Sequence, residues 1–117
     1  MLARAQSLPL QFALLSLVAS VPAVPAVAAD GPALFDGKGC VSCHGDKGQG
    51  IPGLAPPLKG SAFVTSATAA EIGETISKGR QGKNRRHTNI PGGMPGVSME
   101  DDERETLAKY LKSDLQK

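Results

Sequence analysis

The chain has 117 residues, with 13 lysine and arginine residues against 11 aspartate and glutamate residues and a formal net charge of +2. This near balance excludes a protein that binds nucleic acid through bulk positive charge. There are only two cysteines, no tryptophan, three phenylalanines and one tyrosine, so few large side chains are available to build an interior. The length bounds the protein to one small domain, which by itself buries a limited fraction of its surface.

The N-terminal stretch has the features of an export signal. No charged residue lies between Arg4 and Asp30, the intervening sequence is rich in Leu, Val and Ala, and an A-x-A cleavage pattern ends at Ala28. We expect residues 1–28 to be a signal peptide and residues 29–117 to form the exported domain, with no stable membrane span after cleavage. An uncleaved membrane anchor is the alternative, because the uncharged run approaches the length of a span.

The first helix of the exported domain is predicted to start at about Pro32 and to run towards Cys40. Proline is well placed among the first residues of a helix, and Leu34 and Phe35 follow it as adjacent apolar residues. Gly37 and Gly39 lie shortly before Cys40, so the sequence does not define where this helix ends.

The two cysteines are separated by two residues and followed directly by a histidine, in the sequence Cys40-Val41-Ser42-Cys43-His44. The C-x-x-C-H spacing attaches a c-type haem covalently: two thiols add to the vinyl groups, and the histidine gives an imidazole nitrogen to the iron. This motif predicts one haem c, held by thioethers from both cysteines, with the histidine as an iron ligand. A large apolar cofactor would also supply the core that so few aromatic residues cannot.

Three other uses of the two thiols are alternatives to haem attachment. A structural zinc site needs four Cys or His ligands, and His87 is the only other histidine, so that set is incomplete. A thioredoxin-type dithiol belongs to a strand-containing unit, and the chain shows no βαβ pattern. A structural disulfide usually joins cysteines further apart in sequence. The adjacent histidine favours haem over all three.

A second helix is predicted after Thr68. The pair Thr68 and Glu71 has the spacing of a capping box, in which each side chain binds the other residue's backbone N–H. Ile72 and Ile76 follow four residues apart on one narrow apolar face, and Gly79 is a stop signal.

Long connections rich in glycine and proline, at residues 45–60 and 79–97, flank this helix. In so small a domain they are expected to wrap around something rather than extend freely. The second contains Met94 within a run of prolines and glycines, which stiffens and turns the backbone so that a thioether can be directed at a metal. Met94 is therefore the favoured second iron ligand, with Met99, His87 and an open position as alternatives.

A basic run leads into this methionine segment and comprises Lys78, Arg80, Lys83, Arg85 and Arg86. Such runs are often only solvated surfaces. The functional interpretation is that the run borders the exposed haem edge, where its charges hold haem propionates or steer an acidic redox partner.

A third helix is predicted to begin near Ser98. Ser98 and Asp101 resemble a cap, and further acidic residues follow at the positive end of the helix dipole. Leu107, Tyr110 and Leu111 form one apolar face at helical spacing, which we expect to pack on the first helix. Three helices without any strand-like alternation predict an all-α fold.

Together these features resemble the class I cytochrome c family, in its small bacterial monohaem form, over the whole exported domain. The resemblance rests on the motif at 40–44 after a first helix, the run Gly-Leu-Ala-Pro-Pro-Leu at 53–58, the pair Met94-Pro95, and a last helix ending in Lys-Tyr-Leu at 109–111. It implies a small cytochrome c fold, with three to four helices and Gly/Pro-rich loops wrapped around one covalently bound haem.

The resemblance also implies a role for each site residue. Cys40 and Cys43 form the thioethers, His44 is the proximal ligand and Met94 is the distal ligand. The backbone carbonyl of Pro56 accepts a hydrogen bond from the second nitrogen of the ligand histidine, which orients the ring and raises its basicity.

A contact between the first and last helices is a further implication, here Phe35 or Leu34 against Tyr110. In many relatives the aromatic residue stands four positions before the first cysteine, whereas Phe35 stands five positions before Cys40. The pairing is therefore a point at which this chain departs from the pattern.

An iron with both axial positions occupied has no place for a substrate, and nothing else in the chain forms a nucleophile and base pair. We therefore expect no enzymatic activity, but a periplasmic one-electron carrier between redox partner proteins such as a periplasmic dehydrogenase or a terminal oxidase. One alternative is a permanent cytochrome subunit of a periplasmic dehydrogenase complex. A haem sensor with a sixth position that opens is a less favoured alternative.

Overall fold

A computed structural model describes residues 19–23 and 29–117. Residues 19–23 are exposed and have no regular secondary structure. The remainder of the expected signal peptide, together with its cleavage site near Ala28, lies outside the described residues. Within the described ranges, no helix is long and apolar enough to cross a membrane.

The regular structure of the described residues is helical, with isolated bridging pairs but no strands, which confirms the all-α prediction. Five α-helices follow one another along the chain, namely α1 (Gly31–Gly37), α2 (Cys40–His44), α3 (Ala62–Ser66), α4 (Ala69–Lys78) and α5 (Asp101–Lys112). Single 3₁₀ turns lie at Gly82–Asn84 and Asp114–Gln116. The two five-residue helices, α2 and α3, are too short to show a helical periodicity in the sequence.

The first helix, α1, begins one residue earlier than predicted. Asp30 is its N-cap, and the side chain accepts a hydrogen bond of 2.9 Å from the Ala33 N–H. The helix ends at Gly37, before the cysteine motif, and buries Leu34 and Phe35.

The predicted capping box of the second long helix, α4, is confirmed. The Glu71 N–H donates to the Thr68 hydroxyl at 3.1 Å, and the Thr68 N–H donates to the Glu71 carboxylate at 2.7 Å. Ile72 and Ile76 are buried, as their spacing predicted, and Gly79 follows the last helical residue.

The last helix, α5, starts later than predicted, and the assignment of Ser98 to its cap is wrong. Glu100 is the N-cap, and its N–H donates to the carboxylate of Glu103 at 3.0 Å. The helix begins where a glutamate three residues on can reach back to the cap. Glu103 also forms an ion pair of 3.1 Å with Lys38, which joins the start of α5 to the end of α1.

The core is built where α1 and α4 pack against α5. The rings of Phe35 and Tyr110 meet edge to face with centroids 6.0 Å apart, which confirms the expected contact between the first and last helices. Leu107 is completely buried, and Leu111 lies with it in the same apolar cluster. This scaffold carries the cysteine motif and leaves the long connections to form a site beside it.

Candidate functional site

The connections and the adjacent helices enclose a cavity of about 500 Å³, which we call the central cavity. A volume of this size lies within the range of sites that hold small molecules and cofactors. Four of the five predicted site residues line it: Cys43, His44, Pro56 and Met94. The fifth, Cys40, lies on α2 with Cys43 and packs against the hydrophobic core.

Helix α2 consists of the C-x-x-C-H motif itself. It follows Gly39, whose φ of +80° is a left-handed conformation that glycine adopts without strain. Neither cysteine forms a disulfide. Burial raises the pKa of the Cys40 thiol, a backbone hydrogen bond opposes this effect, and the neighbouring Cys43 adds to it.

The imidazole of His44 is buried, with only 8% of the residue exposed, and Nδ1 lies 3.0 Å from the carbonyl oxygen of Pro56. Because a carbonyl oxygen only accepts hydrogen bonds, Nδ1 is the donor and Nε2 of the neutral ring retains a lone pair. Burial lowers the pKa of His44, and the bond to Pro56 opposes this effect. A neutral imidazole held at Nδ1 is suited to bind a metal through Nε2.

The connection from 45 to 60 folds back on itself and brings Pro56 to this histidine. The Gly50 N–H donates to the His44 carbonyl at 2.7 Å, and the Leu58 N–H donates to the Gly48 carbonyl at 2.8 Å. From the C-terminus, the side-chain amide of Gln116 donates to the Leu58 carbonyl at 3.0 Å. These bonds set the path of the backbone that carries the Pro56 carbonyl.

Met94 is placed by the strand-like pairing of its backbone. Its N–H and carbonyl exchange two hydrogen bonds of 2.8 Å with Arg80, directly after α4. The two other candidate ligands are placed differently. Met99 packs against the hydrophobic core and does not line the central cavity, whereas His87 is exposed and lines its edge. The choice of Met94 over Met99 and His87 as iron ligand stays a prediction.

The charges along the central cavity are all basic among the described residues. No carboxylate lines it, whereas four cationic side chains do, namely those of Lys59, Arg80, Arg85 and Arg86. The guanidinium groups of Arg80 and Arg86 lie over the ring of Phe63, at 4.7 and 4.6 Å from its centroid. Burial, and then the charge of Arg86, lowers the pKa of Arg80.

Comparison with known proteins identifies the family. A sequence model described as Cytochrome c matches residues 28–114. The chain belongs to the cytochrome c family. It is 39% identical to cytochrome c-551 of Pseudomonas aeruginosa (strain PAO1) over 105 residues, which cover 87% of this chain and 95% of that protein.

A second relative is the thiosulfate dehydrogenase electron acceptor of Stutzerimonas stutzeri (strain A1501). The two chains are 33% identical over 78 residues, which cover 67% of this chain. The matched part is 33% of that relative, so the chain spans about a third of its length. Both relatives support an electron-carrier cytochrome.

Membership of the cytochrome c family confirms the predicted cofactor, one covalently bound haem c, with Cys40, Cys43 and His44 in the attachment arrangement. Members of this family are electron carriers rather than enzymes. The bound iron supplies one-electron redox chemistry. The central cavity fits such a group, because it offers an imidazole, a thioether, apolar walls and a cationic edge suited to carboxylates.

Two residues that shape this cavity lie outside the predicted site. Phe63 is one of only three phenylalanines in the chain, yet it lines the cavity, and two guanidinium groups lie over its ring. Gln116 lies in the C-terminal turn, with no motif around it, and holds the connection that leads to Phe63. No local signal marks either residue, because both act through contacts with distant parts of the chain.

Proposed function

We propose that the protein is a periplasmic monohaem cytochrome that carries single electrons between redox partners and catalyses no reaction of its own. In this proposal residues 1–28 are a signal peptide cleaved near Ala28, and residues 29–117 form the mature domain. The proposal rests on one observation. His44, whose Nδ1 is bonded to the Pro56 carbonyl, and Met94 line the same cavity.

The site residues take the following roles. Cys40 and Cys43 hold the haem through thioethers, while His44 and Met94 ligate the iron. The Pro56 carbonyl orients the imidazole and raises its basicity. Two protein ligands leave the iron no position for a substrate, and a thioether favours the ferrous state, which raises the reduction potential.

Electron exchange is proposed to occur at the edge of the central cavity. Leu54 lines the cavity and is 47% exposed, and Ile51, three residues earlier, is 38% exposed. The basic side chains of the lining lie around the same cavity without a carboxylate among them. An apolar patch beside basic groups fits a brief encounter with an acidic partner.

A periplasmic dehydrogenase is the proposed electron donor, and a terminal oxidase is a candidate acceptor. The relative that is a thiosulfate dehydrogenase electron acceptor supports a dehydrogenase as partner. It also keeps open the alternative that this cytochrome is a permanent subunit of a dehydrogenase complex. Gel filtration of a native periplasmic extract separates the two, because a free carrier elutes alone at the size of its own mature chain.

The proposal is tested with the full chain produced in a host that attaches c-type haem. We expect haem-containing protein in the periplasmic fraction, with a mass that lacks residues 1–28, and no carbon monoxide binding by the native ferrous protein. Retention of residues 1–28 in a membrane fraction would overturn the proposed localisation. Rapid carbon monoxide binding without denaturant would favour the haem-sensor alternative.

A further inference from the structure

The guanidinium group of Arg85 binds three backbone carbonyls of its own connection. Its Nε donates to the Gly82 carbonyl at 3.2 Å, and its Nη1 donates to the carbonyls of Ile90 and Pro91 at 3.2 and 3.1 Å. A guanidinium presents five donors in a rigid plane, so one side chain can join several acceptors. Arg85 thereby links the start of the loop at Gly82 with its end at Pro91.

The end of this loop leads directly into the methionine segment. Ile90 lines the central cavity and is 7% exposed. Gly93 has a φ of +64°, and a Cβ atom there would lie 2.5 Å from the Arg80 carbonyl oxygen and 3.2 Å from Cγ of Arg85. The residue before Met94 is therefore packed between the backbone of Arg80 and the side chain of Arg85.

Other cationic side chains of the basic run make different contacts in the described structure. Arg80 and Arg86 lie over Phe63, and Lys78 pairs with Glu74. Arg85 is partly buried, whereas Lys83 is exposed and does not line the central cavity. The charge of Arg85 is thus directed at the backbone of its own loop, while that of Lys83 lies at the surface.

We propose that Arg85 is a positioning residue for the iron ligand Met94. Its guanidinium holds Gly82, Ile90 and Pro91 together, and this arrangement keeps the thioether of Met94 in place at the iron. The inference rests on the proposed role of Met94. Hydrogen bonds from a charged donor are among the stronger ones in proteins, so their loss should raise the fraction of protein with the methionine detached by about tenfold or more.

The test uses the haem-loaded mature protein and the variants Arg85→Gln and Arg85→Lys. Lys83→Gln is the matched control, because it removes one positive charge from the same loop at an exposed position that does not line the central cavity. In the ferric protein, the methionine-to-iron charge-transfer band is followed through a urea titration, with helical circular dichroism measured in parallel. Amide hydrogen exchange of residues 82–94 is measured without urea.

We expect both Arg85 variants to lose the charge-transfer band at a lower urea concentration than wild type, with a smaller shift in the loss of helix. Exchange in residues 82–94 should be about tenfold faster in Arg85→Gln. Lys83→Gln should match wild type in both measurements. Arg85→Lys separates geometry from charge, because lysine keeps the charge but lacks the planar fork.

The proposal is overturned if Arg85→Lys behaves as wild type, or if both Arg85 variants keep the band to the same urea concentration as Lys83→Gln. Absence of the band from wild type would instead overturn the role of Met94 as ligand. Hydrogen exchange distinguishes these two failures. Unchanged exchange in Arg85→Gln would show that Arg85 does not stabilise the loop, whichever residue ligates the iron.

Discussion

The Nδ1 atom of His44 donates a hydrogen bond of 3.0 Å to the backbone carbonyl oxygen of Pro56, twelve residues further along the chain. A backbone carbonyl cannot be removed by a side-chain substitution, so this contact depends on the path of the connection between the two residues. Gly50 contributes to that path, because its φ of +77° and its lack of a Cβ atom let it lie directly against the Pro56–Pro57 peptide. The position of the carbonyl that orients the proposed iron ligand therefore depends in part on a glycine.

Substitution of Gly50 by alanine should strongly destabilise the haem-loaded protein. A Cβ atom there would lie 2.6 Å from the Pro57 nitrogen and 2.8 Å from the Pro56 carbonyl carbon, and neither backbone atom can move aside easily. We expect a loss of about 3 kcal/mol from overpacking and left-handed strain together. The free energy of unfolding in urea and the visible spectrum of the haem measure the effect.

Gly82→Ala is the matched control for this prediction. Gly82 has a φ of +58° and does not line the central cavity, and a Cβ atom at this position would have no neighbour within 4 Å. It should lose only the strain of about 1–2 kcal/mol. Equal losses in the two variants would contradict close packing of Gly50 against the proline peptide.

Replacement of Met94 by alanine should abolish the methionine-to-iron charge-transfer band of the ferric protein and lower the reduction potential. The variant should also bind carbon monoxide in the ferrous state, because a ligand position is then open. Met99→Ala is the control, since this side chain packs against the core and does not line the central cavity. It should keep the band and lose about 2 kcal/mol of stability. Survival of the band in Met94→Ala would exclude Met94 as the ligand.

The close approach of α1 to α5 predicts opposite effects at two glycines of the same helix. An alanine at Gly31 would collide with Cβ and Cγ of Tyr110, and should cost about 1–3 kcal/mol. An alanine at Gly37 meets nothing within 4 Å and should gain up to about 1 kcal/mol from helix propensity. Urea unfolding of both variants tests this order, and an unchanged stability in Gly31→Ala would show that the helices can separate at low cost.

Charge reversal at Arg86 should change electron exchange according to the charge of the reagent. With the anionic oxidant hexacyanoferrate(III), Arg86→Glu should react about tenfold more slowly than wild type at low salt. With a cationic cobalt phenanthroline complex it should react faster, and both differences should shrink as salt screens the charges. Stopped-flow kinetics measure the rates.

Lys117→Glu is the control for charge reversal, because Lys117 pairs with Asp114 and does not line the central cavity. Its rates should stay close to those of wild type. If Arg86→Glu and Lys117→Glu change the two rates equally, net charge rather than the edge of the cavity governs the exchange.

Local sequence patterns were enough to predict the cofactor and one of the long helices. The C-x-x-C-H motif predicted the haem, because its function depends on residues that are neighbours in the chain. The capping box of Thr68 and Glu71 and the spacing of Ile72 and Ile76 likewise predicted α4, since both act within two turns of helix. The start of α5 was placed wrongly because Ser98 and Glu100 offer competing caps, and a local pattern does not choose between them.

The amino-acid sequence alone was enough to predict a haem, a helical fold and a place among the electron carriers. The folded structure was needed to show that Gly50 lies against the peptide whose Pro56 carbonyl bonds to His44, and that Arg85 joins both ends of the loop before Met94. The reason is physical. Motifs and helices depend on neighbours in the chain, whereas these contacts depend on how connections without periodicity fold back on themselves.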